Sequence, residues 1–169
     1  MKKLFIIFIA VAGFSVSSFA QVSANATSTA TIITPIAITK EVDMNFGNVA
    51  VNSTAAGTVI LAPAGTRTKS GGVSLPSTAG TVTAASFTVT GASGYVYAIT
   101  LPSTDVILTR NTGTETMAAN AFTSTPSATG TLTSGTSTLA VGATLNVSAA
   151  QAAGVYVSGT AFTVTVNYN

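Results

Sequence analysis

The sequence predicts an all-β fold, an immunoglobulin-like sandwich of two sheets, with a closed β-barrel as the alternative. Its 169 residues are rich in threonine and in the other residues that favour strands, whereas good helix formers such as Leu, Lys, Glu and Arg are scarce. Several short stretches alternate apolar and polar residues with a period of two. Turn residues separate these stretches at intervals of about ten residues, which is typical of a sandwich.

Residues 1–20 are predicted to be a signal peptide that is cleaved on export. Lys2 and Lys3 precede an apolar run over residues 4–16, and Ser18 and Ala20 are the small residues that a signal peptidase reads. The run is shorter than the roughly 20 residues that a spanning helix needs. We therefore expect residues 21–169 to form a single exported domain without stable membrane insertion, located in the periplasm, at the cell surface or outside the cell.

The predicted mature chain carries no net charge. Without Lys2 and Lys3, four basic residues stand against four acidic ones. Arg67 and Lys69 form the only close basic pair, and we predict that they lie in a solvated loop. Nucleic-acid binding needs clustered cations, so it is not expected. The chain has no cysteine, so no disulfide can support the fold.

The first half of the chain contains three alternating stretches. Residues 24–39 are predicted to form a strand with Pro35 at a sheet edge or a bend, because proline lacks the N–H that a central strand needs. Residues 43–49 and 57–63 are predicted to follow. The side chains expected to point inward are Ala24, Ala26, Ala30, Ile32, Ile36, Ile38, Met44, Phe46, Val59 and Leu61.

The clearest hairpin is predicted over residues 86–101, with a loop from Gly91 to Gly94. Tyr97 shares its parity with Ile99 and Leu101, which favours a core position for its ring. Ser148–Gly154 is predicted to form a single helical turn. Shorter strands are expected at residues 106–109, 129–133, 137–141 and 144–147.

The chain ends in a regular strand pattern, and we predict that this segment is the structural or assembly strand. Phe162, Val164, Val166 and Tyr168 fall on one face. The run over residues 155–168 would be about 46 Å long at ~3.3 Å per residue. Because that exceeds an ordinary strand, Gly159 is predicted to mark a bulge or a crossing between sheets.

The sequence contains no histidine or cysteine. This excludes Ser-His-Asp and Cys-His catalytic pairs as well as thiolate or imidazole zinc sites. Glu41 and Asp43 could share one strand face as a carboxylate pair, but the adjacent Lys40 favours an ordinary charged strand entry. We predict no catalytic, cofactor-binding or metal-binding residue, and therefore no enzyme.

The order and spacing of several segments resemble the bacterial family 4402 of domains of unknown function. The segments are ATIITPIAITK, DMNFGNV, GTRTKSGGVSL, AASFTVTG, YAITLP, LAVGATLNV and AAGVYVSGTAFTVTVNYN. The resemblance implies an exported β-sandwich, usually from a Gram-negative bacterium, and carries over no catalytic or binding residue. More distantly, the carboxyl end resembles that of spore-coat-U-like and chaperone–usher fimbrial subunits, which close on an alternating strand with a penultimate tyrosine, here Tyr168.

Two functions of different classes follow as expectations. The first is a structural subunit of a surface fibre or coat that associates through strand edges, because no charged residue after Glu115 guards an edge. The second is a self-complete binding module at the cell surface, an adhesin or a carbohydrate-binding domain, with Tyr95 and Tyr156 as candidate ligand-stacking residues. An exported domain with an unidentified partner is a third possibility that the residues leave open.

Overall fold

A computed structural model describes residues 21–169, so the predicted signal peptide at residues 1–20 lies outside the described residues. The chain divides into two units, residues 1–32 and residues 33–169. Residues 21–32 of the first unit contain neither helix nor strand. Nothing helical within residues 21–169 is long and apolar enough to cross a membrane.

The second unit contains thirteen β-strands. Their bounds are β1 Ala37–Val42, β2 Ala50–Val51, β3 Gly57–Leu61, β4 Arg67–Gly71, β5 Val73–Ser74, β6 Ala85–Thr90, β7 Val96–Thr100, β8 Val106–Arg110, β9 Thr116–Thr125, β10 Thr129–Thr131, β11 Thr136–Val147, β12 Tyr156–Ser158 and β13 Thr165–Tyr168.

The strands form antiparallel sheets, which confirms the predicted all-β sandwich. The largest sheet has eight strands, with the order β1-β6-β11-β9-β8-β12 and with β3 and β4 attached beside β11. A second sheet has the order β10-β7-β13, and β2 pairs with β5 in a small third sheet. Connections between the two larger sheets therefore occur at several points of the chain.

β11 is the longest strand and organises the eight-stranded sheet. It pairs with β9 along one side, while its other side pairs first with β6 and then with β3. Gly142 lies where these two partners change over, and a Cβ atom at this position would overlap the carbonyl oxygen of Leu61. Only glycine lets the end of β3 come this close to β11.

Two clusters of buried side chains form the hydrophobic core. The first lies between the two larger sheets and consists of Ala85, Phe87, Val89, Tyr97, Leu132, Leu139, Val141, Val164 and Val166. The second consists of Phe46, Val59, Leu61, Val73, Ala119, Ala143, Leu145 and Val147. Met44 and Phe122 contact both clusters and join them. The inward positions predicted for Met44, Phe46, Val59 and Leu61 are thus confirmed.

The core position predicted for Tyr97 is also confirmed. Its side chain is fully buried, and its hydroxyl donates a hydrogen bond to Oγ of Ser137 at 2.9 Å. Tyr97 lies in β7 and Ser137 in β11, so this bond connects the two layers of the sandwich. The hydroxyl of a buried tyrosine needs such a partner.

The predicted hairpin over residues 86–101 is wrong. β6 pairs with β1 and β11 in the large sheet, whereas β7 pairs with β10 and β13 in the small one. The loop after β6 therefore carries the chain from one layer to the other. Gly91 donates its backbone N–H to Gly135, and Gly94 donates its N–H to Leu132, so the loop bonds to the β10–β11 region. Turn glycines specify a reversal of the chain but not the sheet that the next strand joins.

Three local predictions are also corrected. The first strand begins at Ala37 rather than at Ala24, and the inward positions predicted for Ala24, Ala26, Ala30 and Ile32 are wrong because these residues are exposed. Arg67 and Lys69 lie in strand β4 rather than in a loop, and the Arg67 guanidinium donates to the backbone carbonyls of Phe46 and Asn48. Residues 148–154 form turns and bends without a helix.

The sequence patterns did not predict β9, the strand that pairs with β11 along one side. Ala121 has a φ of +47°, and the pairing with β11 shifts register at this point. The inward side chains Met117, Ala119 and Phe122 are consequently not spaced by two throughout. A bulge that breaks the period of two hides the strand from a search for alternation.

Candidate assembly edge

The four apolar side chains predicted for the terminal strand pack into the sandwich, but only Val166 and Tyr168 lie in β13, since Phe162 and Val164 precede it. Val164 and Val166 are each 8% exposed and belong to the first core cluster. The Phe162 ring contacts the ring of Phe87 at a centroid distance of 6.4 Å and that of Phe122 at 5.1 Å. These side chains are therefore used by the subunit itself, and the backbone of β13 and its outward side chains remain for a partner.

The predicted crossing at Gly159 is confirmed. β12 pairs with β8 in the eight-stranded sheet, whereas β13 pairs with β7 in the three-stranded sheet. Residues 159–164 connect the two and leave the first sheet for the second. The last two strands of the chain thus lie in different layers.

Tyr168 anchors the carboxyl end. Its hydroxyl accepts a hydrogen bond from the backbone N–H of Ala92 at 2.6 Å and donates one to the backbone oxygen of Thr34 at 2.7 Å. Its ring contacts Tyr95 edge-on at 5.7 Å. A side chain at Gly91 would overlap the Tyr168 hydroxyl, so a glycine is needed there. This ring and these two bonds hold a segment that would fray in most chains.

The outer side of β13 presents unpaired backbone groups. Asn169 donates its N–H to the carbonyl of Val96 in β7. Antiparallel pairing alternates, so Thr165 and Asn167 also direct their N–H and C=O groups toward β7, while Val166 and Tyr168 direct theirs away. No strand of residues 21–169 pairs with that side. We call the outward backbone groups of Val166 and Tyr168 the terminal edge.

Charged side chains are distributed unevenly over the edge strands. In the two larger sheets as described, β1, β4, β10, β12 and β13 each pair with one strand only. β1 carries Lys40 and Glu41, and β4 carries Arg67 and Lys69, whereas the other three carry no charge. Charged residues on an edge disfavour pairing with another chain. The terminal edge lacks this protection.

The two tyrosines predicted as ligand-stacking candidates lie in different sheets. Tyr95 directly precedes β7 of the three-stranded sheet and is 45% exposed. Tyr156 begins β12 of the eight-stranded sheet and is half-buried. Its hydroxyl donates to the carbonyl of Ala152 at 2.7 Å and accepts from Nε2 of Gln151 at 2.8 Å. The strand pairing does not bring the two rings together as one platform.

An ion pair holds the loop that leads into β12. Arg110 Nε lies 2.7 Å from Glu115 Oε2, and its Nη2 donates to Oε1 at 2.9 Å. Nη1 of the same guanidinium donates to the carbonyl of Ala153 at 3.2 Å. The hydrogen bonds from Arg110 lower the pKa of Glu115, and the bonds to this carboxylate raise the pKa of Arg110.

A cleft of about 620 Å³ lies beside the crossing segment. Its lining combines apolar side chains such as Leu101, Ile107 and Phe162 with hydroxyl groups such as those of Ser103 and Thr160. Neither Tyr95 nor Tyr156 lines it. The cleft adjoins an apolar surface on β8 and β12. The sequence does not reveal this surface, because solvent-facing Val and Ile residues cannot be distinguished from core residues by their type.

Comparison with known proteins identifies a family. A family model described as "Domain of unknown function (DUF4402)" matches residues 36–168. This range extends from the residue before β1 to the last residue of β13 and therefore covers the whole sandwich. Neither a curated protein nor a solved structure was found to match the chain.

Proposed function

The chain belongs to the DUF4402 family of domains of unknown function, and from the structure of its sandwich we propose that the protein is a structural subunit of a surface fibre or coat. In this proposal the protein is exported, has no enzymatic activity and associates with further copies through exposed strand edges. The terminal edge is the observation that carries the proposal.

The terminal edge has the properties that strand addition requires. Backbone N–H and C=O groups that point out from an edge can pair with a strand of another chain. Val166 and Tyr168 supply such groups, and no charged side chain lies on β13 to oppose a partner. The Tyr168 bonds to Ala92 and Thr34 hold the strand in place, so little order has to be gained when it binds.

The charge of the chain supports association in the same way. Residues 21–169 carry equal numbers of basic and acidic side chains, and none follows Glu115. A net charge near zero removes the long-range repulsion that keeps many proteins monomeric. β9–β13, which include the terminal edge, thus present a surface of neutral side chains to a neighbouring copy.

Export and the absence of catalysis are parts of the proposal that rest on the sequence. Residues 1–20 have the charge, apolar run and small residues of a signal peptide. The chain has no histidine or cysteine, which are the residues most used as general bases and activated nucleophiles. The amino-terminal residue of the secreted protein tests the first part, and we expect it to be Gln21.

Electron microscopy of the purified protein tests assembly. We expect the wild-type protein to form filaments or ordered layers at high concentration. Asn167→Lys places a charge on the exposed face of β13 and is expected to reduce assembly at least tenfold. Thr39→Lys adds the same charge to β1, an edge strand that already carries Lys40, and is expected to assemble normally. Monodisperse wild-type monomers at high concentration would contradict the proposal.

A binding module is the second candidate, and the exposure of Tyr95 favours it. The ring is 45% exposed and is held edge-on by Tyr168, so it is a rigid aromatic surface of the type that stacks on ligands. A glycan array with wild-type protein and Tyr95→Ala tests this function. Binding that the substitution abolishes would support the module, and no binding to any glycan would argue against it.

A further inference from the structure

The outer edge of β12 resembles the terminal edge in its backbone geometry. Asn111 donates its N–H to the carbonyl of Val155 at 2.9 Å, and Val157 lies opposite Thr109 of β8 two residues later. By the alternation of antiparallel pairing, Val155 and Val157 direct their backbone groups toward β8, while Tyr156 and Ser158 direct theirs away. β12 has no other strand partner within residues 21–169.

An apolar surface accompanies this edge. Val155, Val157 and Ile107 are 65%, 50% and 49% exposed, and we call these three side chains the β12 patch. Val157 pairs with Thr109 of β8, and Ile107 lies two residues before Thr109, on the same face of the sheet. No charged side chain lies on β12. An uncharged edge next to exposed apolar side chains is a site that another chain can cover.

We propose that the β12 edge of one copy is paired with the terminal edge of a second copy. This inference rests on the proposed function and names the two surfaces that assembly uses. Each edge presents the outward backbone groups of two alternate residues. These are Tyr156 and Ser158 on one copy, and Val166 and Tyr168 on the other. In an antiparallel ladder Tyr156 faces Tyr168 and Ser158 faces Val166, so each pair exchanges backbone hydrogen bonds.

The side-chain faces agree with this register. Val157 faces Asn167 on the outer side of the combined sheet, since both are exposed in the single subunit. Asn167 and the neighbouring Thr165 cover part of the β12 patch without bringing a charge to it. The half-buried side chains of Tyr156 and Ser158 lie on the same side as the inward-facing Val166 and Tyr168.

The contact is between unlike surfaces, which determines the form of the assembly. A surface that pairs with itself closes a dimer, whereas two different surfaces join copies head to tail and extend into a filament when the rotation between copies does not close a ring. β12 belongs to the eight-stranded sheet and β13 to the three-stranded sheet. Each added copy therefore uses its terminal edge and leaves its β12 edge open, or the reverse, and a filament grows.

Complementation between two blocked variants tests the inference. Asn167→Lys blocks the terminal edge, and Val157→Lys blocks the β12 edge. We expect each variant alone to be monomeric by analytical ultracentrifugation and native mass spectrometry. An equimolar mixture is expected to form a one-to-one heterodimer that does not grow, because one intact edge of each kind remains. Thr165→Lys and Val155→Lys serve as the second variant of each edge if one of the first pair does not fold.

Ile60→Lys is the matched control for Val157→Lys, because it also replaces an exposed apolar residue by lysine. Ile60 lies on β3, which pairs with a strand on each side and therefore offers no free edge. It is expected to form filaments like the wild-type protein. Wild-type filaments together with a mixture that stays monomeric would overturn the pairing of these two edges and leave the fibre proposal intact. Dimers of either variant alone would overturn it as well. A wild-type protein that never assembles would overturn both.

Discussion

Replacing Tyr168 by phenylalanine removes one hydroxyl from the anchor of the terminal strand. The ring and its edge-on contact with Tyr95 are preserved, so the change isolates two hydrogen bonds. One is accepted from the N–H of Ala92 at 2.6 Å, and the other is donated to the carbonyl of Thr34 at 2.7 Å. The variant measures how strongly the hydroxyl holds β13 to the sandwich.

The expected loss follows from the surroundings of the two partners. Ala92 is half-buried, so its unpaired N–H regains water incompletely, which costs about 1–2 kcal/mol. Thr34 is exposed, and water can replace the hydroxyl at its carbonyl, which leaves about 0.5 kcal/mol. We expect the free energy of unfolding to fall by about 2 kcal/mol. At roughly 3 °C for each kcal/mol in a domain of this size, Tm falls by about 6 °C.

Thermal unfolding followed by circular dichroism measures this loss, with Tyr95→Phe as the matched control. The Tyr95 side chain is exposed, and its hydroxyl forms no hydrogen bond within the described residues, so Tm is expected to stay within about 1 °C of wild type. Hydrogen exchange supplies a local readout, because the Ala92 amide is expected to exchange faster in Tyr168→Phe alone. Equal melting temperatures for the two variants, or an unchanged Ala92 amide, would refute the reasoning.

Two further substitutions test other parts of the structure. Gly142→Ala drives a methyl group against the carbonyl of Leu61 and is expected to destabilise the fold by about 2 kcal/mol or more. Gly159 has open space around it, so Gly159→Ala is the control. Its free energy of unfolding in urea is expected to stay within about 0.5 kcal/mol of wild type. The hydrogen bonds from Arg110 lower the pKa of Glu115 in the folded protein, so the ion pair adds stability at neutral pH. This stability is lost as the pH falls below about 4.3, the ordinary pKa of glutamate in the unfolded chain, toward the lower pKa of the folded state. The urea midpoint of Glu115→Gln should therefore fall less than that of wild type between pH 6 and pH 3, and parallel curves would contradict this role of the ion pair.

Features that depend on local alternation were predicted well. Val59, Leu61 and Tyr97 are fully buried as their parity indicated, because in a half-buried strand the side chains alternate between core and solvent. The crossing at Gly159 was predictable from length alone, since a single strand of that extent would not fit one sheet. The same reasoning missed β9, where the bulge at Ala121 changes the parity within the strand.

The candidate site was predicted in its residues but not in its chemistry. Val166 and Tyr168 form one face of the terminal strand, whereas Phe162 and Val164 precede it in the crossing segment, and all four side chains pack inward. The groups offered to a partner are backbone groups, and their direction depends on which residues of β7 lie opposite. The β12 patch was not predicted at all, because exposed and buried valines have the same side chain and differ only in their surroundings.

The sequence by itself determined that the protein is built from strands, which residues of most strands face the core, and that no charged side chain follows Glu115. These properties are local: they follow from the period of the chain and from the identity of each residue. Which strands become neighbours was decided only by the tertiary structure, since β6 and β7 are adjacent in the chain and lie in different sheets. An edge exists only where a strand lacks a neighbour, so the surfaces proposed for assembly arise from pairing over long distances in the chain, which no short stretch of residues encodes.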